Sequence, residues 1–249
     1  MKRKFLFGFL ILSWIGLQSY AQSPQTEVHV ISTIHAAHKT NKNYTYEDLF
    51  VFIDKLNPDV VGVEIRPEDK DSSSNFLKNM YPYEMYESLV RYKHKKTYGI
   101  DWLGADVAGK QFTREYWENV SPIRKLQVKL GADSLMRQKL AVLKIVGDAK
   151  VKIALNADVY TLNDGTYDML NEIYYAQMRE SYKGEDYEQL AKFYLNRDQE
   201  IAKNIIKVIE ANTGKKIVFL VGADHRSFTL NAIQNKFGNS ILMNPKLDK

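Results

Sequence analysis

The chain has 249 residues, with 13 glycines, 6 prolines, 45% hydrophobic and 26% charged residues, and a formal net charge of +5. This composition is typical of a globular protein and argues against a disordered chain. The chain contains no cysteine, which excludes disulfide bonds, so any metal would be held by histidine and carboxylate side chains.

The first 21 residues have the three parts of a secretory signal peptide. Lys2-Arg3-Lys4 is a basic head, Phe5–Leu17 is an apolar run, and Ser19-Tyr20-Ala21 is a small-residue cleavage signature. The apolar run is short for a membrane span; the alternative is an uncleaved N-terminal anchor. No cysteine follows the run, which excludes a lipid-anchored lipoprotein.

Cleavage would leave residues 22–249 as one domain with a formal charge of +2. We therefore expect a secreted or periplasmic protein with no stable membrane insertion after cleavage. The small remaining charge gives no strong reason to expect nucleic acid or an anionic membrane as a partner.

The chain after the signal begins with a β-α-β unit. Val28–Ile34 and Asp59–Ile65 are predicted strands, rich in valine and isoleucine. The helix between them runs over Tyr46–Leu56, with Thr45 as its N-cap. A short crossover helix predicts that the two strands are parallel and buried on both faces.

The middle of the chain is predicted to be mostly helical, with a helical insertion at about residues 105–184. Ser121-Pro122 is a typical helix start. The predicted elements are a mostly helical stretch over Phe76–Lys96, a short strand over Thr97–Leu103, a stretch dominated by helix from Ser121 to about Asp148, a loop over Asn156–Gly165 and a helix over Thr166–Tyr182.

A second β-α unit ends the chain. A long helix is predicted over Glu185–Ala211, a strand over Lys215–Val221, and a helix to about Lys236. The resulting fold class is α/β, with a central mixed, largely parallel sheet and flanking helices. Two β-α halves are expected to face each other, separated by the helical insertion.

Polar residues follow four of the predicted strands. They are His35, Glu64, Asp101, and the pair Asp224 and His225. The carboxyl ends of parallel strands meet at one sheet edge, where ligands bind in open α/β folds. Two histidines and two or more carboxylates at that edge predict a metal site or an acid–base site.

Each of these residues also has an ordinary structural interpretation. A single histidine after a strand is often a loop residue, and Glu64 could face water at a sheet edge. His38 would share a ligand with His35 if the chain turns helically there, and otherwise lies at the rim. His29 and His94 are interpreted as structural.

Arg197 falls within the apolar stripe of the long predicted helix. The stripe is formed by Leu190, Tyr194, Ile201, Ile205 and Val208. A guanidinium is costly to bury without an anion, so Arg197 either reaches out to solvent or is directed at the carboxylates or a substrate oxyanion. We favour the second interpretation. Asp198 and Glu200 are expected to be solvated.

These motifs resemble the superfamily of TraB, Tiki and erythromycin-esterase-like proteins, which includes the bacterial TraB/GumN group. The motifs are Ser32-Thr33-Ile34-His35, the segment Asn57–Glu64, Arg197 in a helix, and Gly222-Ala223-Asp224-His225. Their order, spacing and strand context agree with the family pattern. The resemblance covers about residues 28–66 and 196–236. Ser32 departs from it, since the family usually has glycine there.

The resemblance implies an α/β fold with a site between two related β-α halves. Some relatives are similar to divalent-metal-dependent peptidases, others to esterases that use a histidine base without metal, and one group binds haem. The leading hypothesis is a secreted, metal-assisted hydrolase that cleaves a peptide or ester bond in a peptide or small-molecule substrate. Glu64, Arg197 and His225 are its expected catalytic residues.

In the metal-assisted form, Mn²⁺, Co²⁺ or Zn²⁺ would be held by His35, His225 and a carboxylate, Glu64 or Asp101. In a metal-free form, His35 or His225 would be the base, oriented by Glu64. His38 and Asp224 are the expected substrate-binding residues. The alternatives are a haem-type binding protein, suggested by the 16 tyrosines, and an inactive member of the fold.

Overall fold

The computed structural model describes residues 24–244, so the predicted signal peptide lies outside the described residues. The α/β class is confirmed. The strands are β1 Glu27–Thr33, β2 Val60–Val63, β3 Lys96–Gly99, β4 Lys216–Gly222 and β5 Leu242–Met243. The helices are α1 Tyr46–Leu56, α2 Ser74–Met80, α3 Tyr83–Arg91, α4 Pro122–Ala132, α5 Ser134–Lys139, α6 Ala141–Asn156, α7 Val159–Leu162, α8 Thr166–Tyr182, α9 Glu188–Glu210 and α10 Ala223–Phe237.

The sheet has the strand order β3-β2-β4-β1-β5, and every pairing among the described strands is parallel, so the mixed character allowed by the sequence does not occur in residues 24–244. β4 lies between β1 and β2, which are therefore parallel but are not neighbours. β1 and β4 pair along seven residues, from Glu27 opposite Lys216 to Thr33 opposite Gly222. This register brings the ends of the two strands level.

Apolar side chains fill both faces of the sheet. On one face, Leu49 and Ile53 of α1 are fully buried against Val61 of β2. On the other, Ile201 and Ile205 of α9 are buried against Val60. Helices on both faces cover a parallel sheet in this way because its strands are apolar on both sides.

The predicted start of α1 is confirmed in detail. The Thr45 hydroxyl accepts the backbone N–H of Asp48, and the Asp48 carboxylate accepts the backbone N–H of Thr45. This reciprocal capping box fixes the first turn of the helix. Ser121 similarly caps α4, with Pro122 in its first turn.

The two stretches predicted to be mainly helical are confirmed, and the structure divides each of them. Residues 76–96 contain the end of α2 and all of α3, separated at Pro82, which cannot continue α2 and is the N-cap of α3. Residues 121–148 belong to three helices, with Asp133 capping the second of them. The prediction of a loop throughout residues 156–165 was wrong, because this stretch contains the short helix α7, capped by Asp158.

Among residues 24–244, no helix combines the length and the apolar character needed to cross a bilayer.

Candidate active site

The polar residues at the strand ends meet in a cavity of about 1390 Å³ at the carboxyl edge of the sheet. They reach one place because the strands are parallel and their ends are level. The site residues that line this cavity are His35, Glu64, Asp101, Arg197, Asp224 and His225.

Glu64, directly after β2, is the centre of the hydrogen-bond network. Its Oε1 accepts Arg197 Nη2 at 2.7 Å, and its Oε2 accepts the backbone N–H of Gly222 at 2.5 Å. His225 Nε2 lies 3.5 Å from the same Oε1. Burial alone raises the pKa of Glu64, but the charges of His225, Arg197 and His35 outweigh it and lower that pKa to about 2. Glu64 is therefore a buried carboxylate anion.

Arg197 links Glu64 to Asp101. Its Nε donates to Asp101 Oδ1 at 2.9 Å, and the side chain is 17% exposed. Burial by itself lowers the pKa of Arg197, but the charges of Asp101 and Glu64 raise it, so the guanidinium stays charged. The structure thus directs Arg197 at the two strand-end carboxylates rather than at solvent.

Each site histidine is held by a second carboxylate. His35 Nδ1 lies 2.7 Å from Glu84 Oε1, and His225 Nδ1 lies 2.5 Å from Asp198 Oδ1. A hydrogen bond at Nδ1 fixes the orientation of an imidazole and directs its Nε2 to the opposite side. Both carboxylates are buried, Glu84 completely.

The pKa values of both histidines are raised above the ordinary value of 6.5. For His35, burial lowers the pKa, but the hydrogen bond to Glu84 and the charge of Glu64 raise it by more. For His225, burial likewise lowers the pKa, and the charge of Glu64 with the bond to Asp198 outweighs that effect. The carboxylates therefore favour the protonated imidazoles.

Gly222 separates His35 from Glu64. A Cβ added at this position would lie 2.7 Å from His35 Nε2 and 3.2 Å from Glu64 Oε2. The backbone of Gly222 has a φ of −53°, which any residue adopts. A glycine is required here because the two site side chains fill the space of a side chain.

The expectation that Asp198 is solvated was wrong, because its carboxylate is buried against His225. A signal was present in the sequence, since Asp198 lies four residues after Tyr194 and three before Ile201, within the apolar stripe of α9. Glu84 was also missed. It lies in the first turn of α3, next to the buried Met85, in a segment where tyrosines dominated the pattern.

His38 is not brought into the cavity, contrary to the role expected for it. Its Nε2 accepts the backbone N–H of Ile34, its Nδ1 bonds to the carbonyl of Tyr44, and the ring is buried. His38 thus fixes the turn that carries His35, whose φ is +50°. Asp224 does line the cavity, with its Oδ1 bonded to Tyr167 and Lys150.

Ser32, where the family pattern has glycine, lies inside β1 opposite Val221. Its backbone N–H donates to Asn163 Oδ1 at 2.9 Å, while its buried hydroxyl has no hydrogen-bond partner among the described residues. The serine therefore leaves the strand and the position of His35 intact.

Several side chains of the site are of the types that bind divalent metals. Glu64, Glu84, Asp101 and Asp198 are buried carboxylates, and Arg197 is the cation bonded to two of them, so the site has an excess of negative charge. Histidines that bind metals usually donate Nδ1–H to a carboxylate, as His35 and His225 are placed to do here. By ligand type, His35, His225 and Glu64 fit a divalent metal.

The arrangement of the donors is less favourable. Within residues 24–244, no three histidine or acidic side chains are grouped as a metal site. Asp101, expected as a ligand, is instead bonded to Arg197 and to the backbone N–H of Trp102.

No protein-family model, curated protein or solved structure matches this chain.

Proposed function

We propose that the chain is a secreted hydrolase of the TraB/Tiki type that cleaves a peptide or ester bond in the cavity at the sheet edge. The observation that carries this proposal is the pair of carboxylate-bound histidines on either side of Glu64. Such an arrangement supplies a positioned base beside a fixed anion, which is the requirement of general acid–base catalysis.

His35 is the base in this proposal. Its side chain is 39% exposed, whereas that of His225 is 7% exposed, so His35 is the imidazole that a substrate and a water molecule can reach. His35 takes a proton from water as the water oxygen attacks the carbonyl carbon. It returns that proton to the leaving nitrogen or oxygen as the scissile bond breaks.

Arg197 stabilises the negative charge that forms on the carbonyl oxygen. Its Nε and Nη2 are bonded to Asp101 and Glu64, which fixes the plane of the guanidinium at the cavity wall. A donor held in place before the reaction begins costs little reorganisation, which makes it effective. Asp101 and Glu64 hold this cation, and His225 lies on Glu64, with its Nε2 3.5 Å from Glu64 Oε1.

In their chemical type, though not in their present grouping, three of these side chains match the ligands of a divalent metal. A divalent metal bound by His35, His225 and Glu64 would lower the pKa of a bound water. Glu84 and Asp198 orient the two imidazoles in either form of the enzyme.

The test is an assay of the purified protein against a panel of peptides and esters, without added metal and with Mn²⁺, Co²⁺ or Zn²⁺. We expect hydrolysis that falls by about 10²-fold or more in His35→Ala and in Glu64→Gln. The matched control is His94→Gln, an exposed histidine in the turn before β3, which we expect to keep full activity.

The proposal would be contradicted by hydrolysis that survives both substitutions. It would also be contradicted if no panel member is cleaved under any metal condition while circular dichroism shows a folded protein.

A further inference from the structure

Four aromatic side chains line one flank of the active-site cavity, next to His35. Tyr46 and Phe50 lie four residues apart on α1, and Tyr83 and Tyr86 lie three residues apart on α3, so each pair shares one face of its helix. The ring centroid of Tyr83 lies 4.7 Å from that of Tyr46, 5.5 Å from that of Tyr86 and 6.4 Å from that of Phe50. We call these four residues the aromatic wall.

The aromatic wall is joined to the proposed base at two points. The Tyr46 hydroxyl donates to the backbone carbonyl of His35 at 3.1 Å. Glu84, which lies between Tyr83 and Tyr86 on α3, is bonded through its Oε1 to His35 Nδ1. The helix that orients the imidazole therefore also carries half of the aromatic wall, and a group bound against the wall lies beside the imidazole.

The rings of the wall are arranged to accept another ring. Phe50 is buried, whereas Tyr83 is 40% exposed and lines the cavity. Tyr83 contacts Tyr46 and Tyr86 edge to face, with interplanar angles of 63° and 85°. Aromatic pairs prefer this geometry, and a further ring can join such a cluster in the same way. A single exposed tyrosine is ordinary, but one that extends a ring cluster into a cavity beside a base indicates a subsite.

Electrostatics do not favour a charged occupant at the aromatic wall. Arg91, whose guanidinium lies 5.2 Å from the centre of the Phe50 ring, is already paired with Asp54. The other charged side chains that α1, α2, α3 and the turn after His35 add to the cavity lining are two cations and two anions, Lys39, Lys78, Glu47 and Glu87. Because these formal charges cancel, the wall favours an uncharged apolar group.

We propose that the aromatic wall is the subsite that binds an aromatic side chain of the substrate next to the scissile bond. This inference rests on the proposed hydrolase function and adds its substrate class, which is peptides or esters with an aromatic ring beside the bond that is cleaved. Sugar rings also stack on tyrosine, but they need hydrogen bonds from hydroxyl groups as well. A variant that keeps the rings and removes the hydroxyls separates these two ligand classes.

The first measurement is hydrolysis of matched peptides by the full chain. The peptides are tetra-alanine blocked at both ends and four versions in which phenylalanine replaces one alanine. We expect at least one phenylalanine version to exceed tetra-alanine in kcat/KM by about tenfold or more, because the ring is buried against the wall. In the double variant Tyr83→Ala with Tyr86→Ala, this preference should fall to about threefold or less.

The second measurement is binding without cleavage, which separates this inference from the hydrolase proposal. Dissociation constants of N-acetyl-phenylalaninol and N-acetyl-alaninol are measured by ligand-detected NMR. We expect the wild type to bind the phenylalanine compound about tenfold or more tightly, and the alanine double variant to lose this difference. If this pattern is found and no peptide is hydrolysed, the wall binds aromatic groups and the hydrolase proposal fails.

Two further double variants are the controls. Tyr83→Phe with Tyr86→Phe retains the rings and should retain the preference for phenylalanine. Val51→Ala with Val90→Ala removes exposed apolar groups from the same two helices at positions that do not line the cavity, and it should leave kcat/KM unchanged. Circular dichroism should show that every variant is folded. If the alanine double variant does not fold, Tyr83→Ala alone should still lower the preference by about threefold or more.

Three results would overturn the inference. The first is hydrolysis or binding by the wild type that does not distinguish phenylalanine from alanine. The second is an unchanged preference when folded chains lack the Tyr83 and Tyr86 rings. The third is a preference that the phenylalanine double variant loses, which shows that the hydroxyls recognise a polar ligand such as a sugar.

Discussion

At the scale of single residues, Glu84 controls the state of His35. Its Oε1 bonds to His35 Nδ1 and accepts the Thr33 hydroxyl at 3.2 Å, and its Oε2 is buried without a partner among the described residues. A buried carboxylate beside an imidazole raises the affinity of that imidazole for a proton. Glu84 is therefore a positioning residue for the proposed base.

Glu84→Gln tests this role. We expect the pKa of His35 to fall, because the amide cannot replace the negative charge. Activity should fall about 10–100-fold, and its rise with pH should move to lower pH. Imidazole chemical shifts followed by NMR during a pH titration measure the first effect without any substrate. Glu87→Gln, a nearby glutamate on the cavity wall, is the control and should leave the pKa of His35 unchanged.

Gly222→Ala tests the close contact of His35 and Glu64 at this glycine. The added Cβ would clash with His35 Nε2 and displace the ring, whereas the backbone accepts alanine without strain. We expect activity to fall by about 10²-fold, since misplacement of a reacting group by about 1 Å has such an effect. Gly131→Ala in α4, where nothing lies within 4 Å of the new Cβ, should retain activity. Full activity in Gly222→Ala would contradict the described geometry.

Most of the cavity-lining site residues were predictable because they follow strands. Buried runs of valine and isoleucine that end in His35, Glu64 and His225 place these side chains at one edge, whatever the order of the strands. Glu84 and Asp198 were not predicted because they reach the site from helices. Their contacts depend on how α3 and α9 lie against the sheet, which no local pattern specifies.

At the scale of elements, α9 supplies two functional residues in succession. Arg197 bonds to the strand-end carboxylates, and Asp198 bonds to His225 at the start of α10. Adjacent helical positions point about 100° apart, so one helix reaches both sides of the site. The apolar stripe of α9 fixes the rotation of the helix and thereby the placement of both side chains.

Asp198→Asn tests how much the contact between α9 and His225 contributes to the stability of the fold. The substitution keeps the shape of the side chain but removes the charge that faces His225, and we expect a loss of about 1–3 kcal/mol in unfolding free energy. Glu200→Gln is the matched control, two residues along the helix. Glu200 is partly exposed and pairs with Lys203, so its removal should change stability by about 0.5 kcal/mol or less. Equal unfolding midpoints in urea for the two variants would refute the difference.

The limits of single helices could be predicted from the local sequence, whereas the order of the strands could not. α1 and α8 have the predicted limits because caps and glycine mark them in the sequence. The insertion of β4 between β1 and β2 was not predicted, since pairing between residues about 190 positions apart depends on tertiary packing.

At the scale of the whole molecule, the site is a buried set of charges whose balance depends on pH. The pKa of Glu64 is lowered to about 2 from 4.5, so its contribution to stability is present above pH 4.5 and is lost as the pH falls toward 2. The pKa of His225 is raised from 6.5, so its contribution is present below pH 6.5 and is lost as the pH rises through the folded-state pKa. The charges of Glu64 and His225 therefore stabilise the folded protein most between pH 4.5 and pH 6.5.

His225→Gln isolates the contribution of His225 to the pH dependence of stability. His29 and His38 have lowered pKa values, which shift stability in the opposite direction, so the wild-type profile alone does not report on His225. We expect the wild type to exceed His225→Gln in melting temperature at a pH of about 6, and the difference to shrink by a few degrees as the pH approaches about 9. Thermal unfolding followed by circular dichroism measures both profiles, and His94→Gln should follow the wild type throughout. A difference that grows with pH would show that the folded protein holds His225 as a neutral imidazole, opposite to the sign derived from Glu64 and Asp198.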